Sequence, residues 1–397
     1  MFLFDADSHY YEPSDCCTRY IDPEFRERTV WVDHAAAGEP VFVGREKLRY
    51  LGINPTAAVP PAGALEAFFT NGKNDLDRHP VGMIDPREIP PYQQREARLG
   101  LMDEQDLDGV LMLPTLGVTF EYQLRHDMPA HNASVTAFNR WLEEDWGYGA
   151  DGRIFGVPLL SLEDPAWAIV ELERVIGEGA KFVLLRCGPV QGRSPADPVF
   201  DPFWARCEEA GLPIVFHVGN DGFVDLYASS WGEDPTVSLG KYSPFQMYTS
   251  QGDRPIADTF AALVLHNLFG RFPGLRAITV ENGSDWVAGL LHDMDKAAKK
   301  GRLGVQLGGP LADLPSDIFK EHIYVQPYYE ENVPALIEEI GARRVLFGSD
   351  FPHPEGLADP KSFVKTLEGV SPRDIALVMG DNMAELVGLD SRAGGAA

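Results

Sequence analysis

The sequence is poor in positive charge. Its 397 residues include 34 lysines and arginines against 60 aspartates and glutamates, which gives a formal net charge of −26 at pH 7. This balance argues against nucleic acid and anionic lipid as partners, because both attract basic protein surfaces. An anionic small substrate in a local basic pocket remains compatible with it. We therefore expect a small-molecule substrate.

Cysteines and long apolar runs are also scarce. The four cysteines have neither zinc-finger nor Cys-x-x-Cys spacing, which indicates reduced thiols; they are Cys16, Cys17, Cys187 and Cys207. Only three apolar residues follow Met1 before Asp5, too few for the apolar part of a signal peptide. No apolar run approaches the roughly 18 residues of a membrane span. The expected protein is cytoplasmic, with no membrane partner.

The first apolar run ends in Asp5-Ala6-Asp7-Ser8-His9. Side chains alternate along a strand, so the three polar residues of this motif would project to one side. Two carboxylates and an imidazole at the exit of a strand suit a divalent metal. The alternative is that the aspartates are turn or cap residues and that His9 is a loop histidine. These residues alone leave both interpretations open.

Eight apolar segments separated by helical patterns predict the fold. Continuous apolar strands that alternate with helices indicate a parallel sheet covered on its outside, and eight such units close into a (β/α)8 TIM barrel. An open doubly wound sheet is the alternative, but no glycine-rich phosphate loop follows the first strand. The predicted strands are residues 2–9, 109–114, 154–160, 181–186, 213–217, 275–281, 322–325 and 344–350.

The domain organisation follows from this pattern. We predict a single barrel domain over residues 1–391, followed by a disordered tail at 392–397. Two segments lack a helix–strand rhythm and are interpreted as insertions after the first and fifth strands. The first, 29–91, is rich in proline and glycine, and the second, 218–255, is rich in aromatic residues that could cover an apolar substrate.

Polar residues stand at the C-terminal ends of several predicted strands, where barrel active sites lie. Any one of them alone is better explained as a cap or turn residue. Five that converge on one mouth instead favour a metal site, because unpaired charged groups there would be costly. These residues are Asp7, His9, His217, Glu281 and Asp350.

This set and its order resemble the amidohydrolase superfamily, in particular the amidohydrolase-related branch that includes nonoxidative aromatic-acid decarboxylases. That family usually carries Asp-x-His-x-His on its first strand, and here Asp7 replaces the middle histidine. His217 and Asp350 match its fifth-strand histidine and eighth-strand aspartate. Glu281 stands where a sixth-strand histidine is common, and Arg186 where a bridging lysine would stand.

These departures make the predicted site richer in carboxylates, which favours iron or manganese over zinc and allows one carboxylate to span two metals. Four further residues could act as ligands. His266 has the alternative of a structural histidine on a packed helix, and His353 of a residue that supports a ligand. The other two are Asp5 and Glu12.

Short motifs also resemble the actinobacterial group that contains the TIM-barrel nonheme diiron monooxygenase of platensimycin and platencin biosynthesis. They occupy residues 5–12, 266–273, 281–284 and 347–353. This resemblance implies dioxygen activation at two irons, an electron donor as partner, and a bulky terpenoid or acyl, including CoA-linked, substrate of secondary metabolism.

Three functional hypotheses follow. The first is a diiron monooxygenase whose metal ligands include Glu281 as a bridge, with Arg186 pairing with a substrate carboxylate or phosphate. For Arg186 a structural ion pair is the alternative. The second is an amidohydrolase-type hydrolase or nonoxidative decarboxylase with one zinc or manganese ion. The third is a noncatalytic binding protein that has lost its metal. A homodimer is one assembly compatible with all three.

Overall fold

Parallel strands form a barrel in the computed structural model, which describes residues 1–71, 81–251 and 253–389. The strands in chain order are β1 (Phe4–Tyr10), β2 (Val30–Val32), β3 (Val41–Val43), β4 (Glu46–Lys47), β5 (Gly109–Pro114), β6 (Ile154–Gly156), β7 (Val183–Leu185), β8 (Ile214–His217), β9 (Ala277–Val280) and β10 (Ile323–Val325). All except β2, β3 and β4 belong to the barrel.

The barrel strands pair in parallel and in sequence order. One sheet has the order β1-β5-β6 and the other β10-β9-β8-β7. A bridge between Leu159 and Leu184 joins β6 to β7. On the opposite side, residues 345–351 connect β10 to β1 through bridges from Val325 to Val345 and from Ser8 to Phe351. The predicted TIM barrel with insertions is confirmed.

The prediction of the eighth strand was wrong in one respect, because residues 344–350 do not form a regular strand. The segment does bond to both neighbours: Leu346 N donates to Val325 O (2.9 Å), and Ala6 N donates to Phe347 O (2.9 Å). The amide of Phe347, however, donates outward to Val378 O (3.0 Å). This competing bond interrupts the ladder, although the segment still closes the barrel.

Helices separate the strands, and several begin with proline after an aspartate cap. Asp164 accepts a hydrogen bond from Trp167 N (3.2 Å) ahead of the helix that starts at Pro165. The α-helices are Glu66–Asn71, Pro90–Gln93, Arg95–Glu104, Gly117–Leu124, Met128–Asp145, Pro165–Gly177, Asp201–Ala210, Pro244–Ser250, Arg254–Leu265, Leu268–Arg271, Val287–Gly301, Pro315–His322, Val333–Ile340, Pro372–Ala376 and Asn382–Val387. None in the described part of the chain has the length and hydropathy required to cross a bilayer.

The barrel strands are buried along their whole length, as continuous apolar runs predict. Core side chains such as Phe4, Leu111 and Phe182 are fully buried. Strand β1 nevertheless also carries Asp5, Asp7 and His9, and these polar side chains are equally buried. Because burying unpaired charge is costly, they must be satisfied by partners inside the barrel mouth.

The two predicted insertions meet above the barrel. Strands β2, β3 and β4 of the first insertion form a small antiparallel sheet. Leu239 N donates to Tyr50 O (2.9 Å), and the Tyr50 hydroxyl donates to Gln251 Oε1 (2.8 Å). The first and second insertions are thus joined by hydrogen bonds. The predicted 392–397 tail and the end of the predicted domain lie outside the described residues, and the single-domain organisation stays a prediction.

Candidate metal centre

Strand β1 delivers two polar side chains to the C-terminal mouth of the barrel. Pairing with β5 shifts register between Asp5 and Ser8. Beyond this irregularity, His9 Nε2 lies 3.1 Å from Asp7 Oδ1. Both residues are fully buried. Two of the three residues predicted to project together thus meet, whereas Asp5, the third, lies outside the cluster.

Three other strand ends complete a cluster. His217 ends β8, and its Nε2 lies 3.3 Å from His9 Nε2 and 2.9 Å from Glu281 Oε2. Asp350 Oδ1 lies 3.4 Å from His9 Nε2. The structure thus brings all five strand-end residues, including Asp7, to one point. Their role as metal ligands remains a prediction, which the geometry now supports.

Glu281 and Asp350 reach the cluster from an unusual backbone conformation. Their φ angles are 52° and 56°, in the left-handed region that side chains rarely adopt. Gln326 Oε1 accepts a hydrogen bond from Glu281 N (2.8 Å), and Asp350 N donates to Asp7 O (2.8 Å). These bonds hold the strained turns. Such strain is typical of functional sites.

His353 extends the cluster through Asp350. His353 Nδ1 lies 2.7 Å from Asp350 Oδ1, and His353 Nε2 lies 2.9 Å from Thr115 Oγ1. The Thr115 hydroxyl has one hydrogen, which it donates to Tyr10 O (2.8 Å). His353 Nε2 must therefore carry a proton and donate it to Thr115. A second proton must then lie between the two residues, either on His353 Nδ1 or on Asp350 Oδ1.

Burial decides where that second proton lies. Burial raises the pKa of Asp350 well above its ordinary value, and the nearby carboxylates of Glu281 and Asp7 raise it further. Burial also lowers the pKa of His353. Both shifts favour a neutral pair in which the carboxylic acid of Asp350 donates to the His353 ring.

The pKa values of the two imidazoles at the centre, His9 and His217, are shifted in opposite directions. Burial lowers the pKa of His9 well below its ordinary value, and the neighbouring His353 and His217 add to this effect. Burial also opposes the charge on His217, but Glu281 and Asp7 outweigh it and raise the pKa of His217 to about 10. Without a metal, His217 is therefore the imidazole of this pair that carries the additional proton, and His9 is neutral.

The donor atoms fit a divalent cation. Ligand atoms lie within 4.8 Å of one another in two overlapping groups, Asp7-His9-His217-Glu281 and His9-Glu281-Asp350-His353. Asp7 Oδ2 is buried without a hydrogen-bond partner. Among the described residues, no lysine or arginine pairs with the clustered carboxylates. Carboxylates and imidazoles that converge without a basic side chain have the chemistry of a metal site.

Asp5 and Glu12, two further candidates, are engaged with the backbone. Asp5 Oδ1 accepts from Ser349 N (2.9 Å), and Asp5 Oδ2 accepts from the Ser349 hydroxyl (2.5 Å). Glu12 accepts from Leu116 N and Gly117 N, each at 2.9 Å. Neither carboxylate belongs to the two ligand groups. Asp5 instead ties the first strand to the segment that carries Asp350.

Comparison with known proteins identifies the family. A family model described as amidohydrolase matches residues 115–389. The chain belongs to the amidohydrolase family. The crystal structure of an amidohydrolase from Mycobacterium avium subsp. paratuberculosis K-10 is 37% identical, with a TM-score of 0.90 over 98% of both chains. The chain therefore has the fold of a family of metal-dependent enzymes. No curated protein matches it.

More distant solved structures share the fold of this amidohydrolase. A 2,6-dihydroxybenzoate decarboxylase is 18% identical, with a TM-score of 0.53 over 73% of this chain and 87% of that one. A 5-carboxyvanillate decarboxylase from Novosphingobium aromaticivorans with bound manganese is 14% identical, with a TM-score of 0.58 over 98% and 97% of the two chains. At these identities the likeness establishes the barrel alone. The resemblance to the diiron monooxygenase group stays a prediction.

His266, also a predicted ligand, lies outside the cluster. It follows the helix Arg254–Leu265 as its cap and belongs to neither ligand group. Its backbone oxygen accepts from Arg271 Nη1 (2.9 Å), and the charges that act on its ring come from Asp197 and Arg271. The structural alternative describes His266 better, because its helix ends away from the strand ends that form the cluster.

Arg186 is engaged by acidic side chains. Its guanidinium lies 3.0 Å from Glu163 Oε1 and 3.6 Å from Glu121 Oε1, and it also donates to Asp221 O (2.9 Å). Arg186 does not line the cavity above the cluster. This geometry corresponds to the structural ion pair that the sequence left open. We assign Arg186 no contact with substrate.

A cavity of about 520 Å³ opens above the cluster. Its floor includes Asp7, His217, Glu281, Asp350 and His353. Most of the remaining lining is apolar or aromatic and comes from both insertions and the strand ends. Sequence patterns did not identify Thr115 or Gln326, which also line it, because both act through partners distant in the chain.

Proposed function

We propose that this protein is a metal-dependent nonoxidative decarboxylase of a bulky, largely apolar carboxylic acid. One observation carries the proposal: Asp350 Oδ1 and His353 Nδ1 lie 2.7 Å apart beside a cluster of candidate metal-ligand side chains, on the floor of an apolar cavity. The decarboxylase names of several solved structures with the same fold support it. The bound manganese named in two of them supports that metal.

The first ligand group is the better candidate for the metal. It joins Asp7, His9, His217 and Glu281, which offer two imidazoles and two carboxylates. This donor set suits manganese or iron better than a structural zinc. When bound there, a divalent cation supplies a Lewis acid that polarises the carboxylate of the substrate. Asp350 and His353 then remain available as a proton pair.

The proton pair fits the second half of the reaction. Decarboxylation breaks the bond between carbon and carboxylate, releases CO₂ and leaves an electron pair on carbon that requires a proton. The proton between Asp350 Oδ1 and His353 Nδ1 is placed to move to that carbon, while the Nε2 proton of His353 stays on its hydrogen bond to Thr115. Asp350 is then a carboxylate, and a proton from water restores the pair after the product leaves. Burial and the neighbouring carboxylates of Glu281 and Asp7 raise the pKa of this acid well above its ordinary value.

The apolar lining assists by excluding water. Residues of both insertions, such as Leu51, Phe69 and Leu239, cover the cavity above the ligands. A carboxylate is strongly hydrated in water, whereas the transition state disperses its charge toward neutral CO₂. Removing this water therefore costs the substrate more than the transition state, while the proposed metal site on the cavity floor holds the carboxylate. The covering also protects the electron pair on carbon from solvent until Asp350 donates.

Diiron oxygenation is the second candidate, favoured by the overlap of the two ligand groups. Glu281 belongs to both and can bridge two ions. The single Nε2 of His9 also faces both groups, however, while its Nδ1 is buried without a partner. One imidazole nitrogen binds one ion at a time, so the arrangement favours occupation of one group.

The test is a CO₂-release assay under strict anaerobiosis. Protein stripped with a chelator is reloaded with Mn²⁺, Zn²⁺ or Fe²⁺ and supplied with a panel of aromatic and alicyclic carboxylic acids. We expect CO₂ release with Mn²⁺ and no requirement for dioxygen. Oxygen uptake coupled to hydroxylation in the iron-loaded protein, with no anaerobic CO₂, would support the diiron candidate instead. Hydrolysis of ester or amide analogues without CO₂ release would indicate the hydrolytic chemistry of the family.

A further inference from the structure

The cavity has no basic side chain among its described lining residues. Its charged lining consists of carboxylates, apart from the imidazoles of the cluster. Asp7, Glu281 and Asp350 belong to the ligand cluster, whereas Glu355 and Glu330 lie outside it. Apart from a bound metal ion, the described lining therefore offers no positive side chain to a second anionic group.

The basic residue predicted for the barrel mouth does not change this. Arg186 is paired with Glu163 and lies close to Glu121, and its side chain is almost completely buried. Moving it into the cavity would leave those carboxylates buried and unpaired, which is costly. A second anionic group of a substrate would therefore find no cation.

The rim of the cavity is largely apolar. Three apolar lining residues have substantial exposure, Ile53 (49%), Phe69 (41%) and Met247 (43%), and the carboxylate of Glu330 is the charged residue exposed beside them. The three apolar residues come from the first and second insertions. Exposed apolar side chains that continue into an apolar cavity mark an entry suited to an apolar ligand.

We propose that the cavity selects acids that carry their single anionic group at the ligand cluster and an uncharged, apolar remainder. A second carboxylate or a phosphate inside the cavity is rejected, because it would be buried where no lysine or arginine of the described lining can pair with it. The placement of the first carboxylate rests on the proposed function. The selection against a second charge rests on the lining alone.

The test compares two ligands of the same size. Naphthalene-2,6-dicarboxylate carries two charges, and its monomethyl ester carries one. Their binding to the manganese-loaded protein is measured at neutral pH by equilibrium dialysis, which needs no turnover. We expect the monoester to bind at least ~10-fold more tightly, because it buries one uncompensated charge fewer. Equal affinities, tighter binding of the dicarboxylate, or no binding of either ligand would overturn the proposal.

A variant pair checks that the lining causes the selection. Ile53→Arg introduces a cation at an exposed lining position and should raise dicarboxylate affinity by ~10-fold while leaving monoester affinity within about twofold. Val199→Arg is the matched control, because Val199 is 52% exposed and lies outside the cavity lining. If both variants changed binding equally, the selection would not arise from the cavity. Failure of decarboxylation with intact selectivity would instead count against the proposed function alone.

Discussion

The imidazoles of His9 and His217 meet edge to face, with their Nε2 atoms 3.3 Å apart. At this distance the lone pairs of two ring nitrogens would repel each other. One nitrogen must therefore carry a proton, or both must bind a cation. Without metal, Glu281 and Asp7 supply the stabilisation that keeps the proton on His217. A divalent cation can replace this proton and use both nitrogens. The pair is therefore the centre of the proposed metal site.

Proton release on metal binding is the first prediction. The pKa of His217 is raised to about 10, so metal-free protein carries this proton at neutral pH and loses it only above that value. Binding of Mn²⁺ should therefore release at least ~1 proton, and affinity should rise roughly tenfold per pH unit below the pKa. Calorimetry in buffers with different ionisation enthalpies measures the number. Metal binding without proton release would contradict the assignment.

The second prediction concerns the histidine ligands. His217→Ala removes one imidazole from the first ligand group and should weaken Mn²⁺ binding by at least ~100-fold and abolish activity, because the buried carboxylates then lack a partner ligand. His266→Ala is the control, since this ring lies outside the cluster and its loss should leave metal affinity within about twofold. Similar losses in both variants would restore His266 as a ligand. Metal titration followed by manganese electron paramagnetic resonance gives both values.

Support of the ligands through Asp5 is the third prediction. Asp5 accepts hydrogen bonds from Ser349 N, the Ser349 hydroxyl and Asp7 N. Asp5→Asn replaces one acceptor oxygen with a donor amide and should destabilise the fold by about 1–3 kcal/mol. It should also weaken Mn²⁺ binding by ~10–100-fold although every ligand remains. Urea unfolding and metal titration test the two effects. Asp22→Asn, at an exposed position, should change neither quantity.

Close packing at Gly348 gives the fourth prediction. A Cβ atom added there would lie 2.6 Å from Asp7 Cβ and 2.6 Å from Gln326 Cγ, closer than such atoms normally approach. Gly348→Ala must therefore displace a ligand or the residue that supports Glu281, and should cost about 1–3 kcal/mol with weaker metal binding. Gly177→Ala has no neighbouring atom within 4 Å and serves as control. A fully stable Gly348→Ala variant with wild-type metal affinity would contradict this geometry.

The fold could be predicted because the barrel strands occur in the sequence as continuous apolar runs. The exception is instructive. Residues 344–350 have the composition of a strand, but Phe347 N bonds to Val378 O outside the sheet. A sequence pattern reports burial, whereas this hydrogen bond depends on which distant carbonyl lies nearby. A sequence pattern cannot predict such a competing hydrogen bond, because the bond depends on how the chain folds.

The residues at the strand ends of the site could also be predicted, but the residues that support them could not. Residues at strand ends, such as His217 and Glu281, could be found because parallel strands bring their ends to one mouth. The supporting residues Thr115 and Gln326 could not, since each acts by one hydrogen bond to a residue far along the chain. His266 resembled a ligand by type alone. Its position at the end of a helix removes it from the cluster.

The most direct test is the metal content of the anaerobically purified protein after saturation with Mn²⁺ and removal of free metal, measured by inductively coupled plasma mass spectrometry. The account predicts about one manganese per chain in the wild type, because the single Nε2 of His9 binds one ion at a time. It predicts near zero in His217→Ala. A wild-type protein that retains no manganese, zinc or iron, or a His217→Ala variant that retains the full amount, would contradict it.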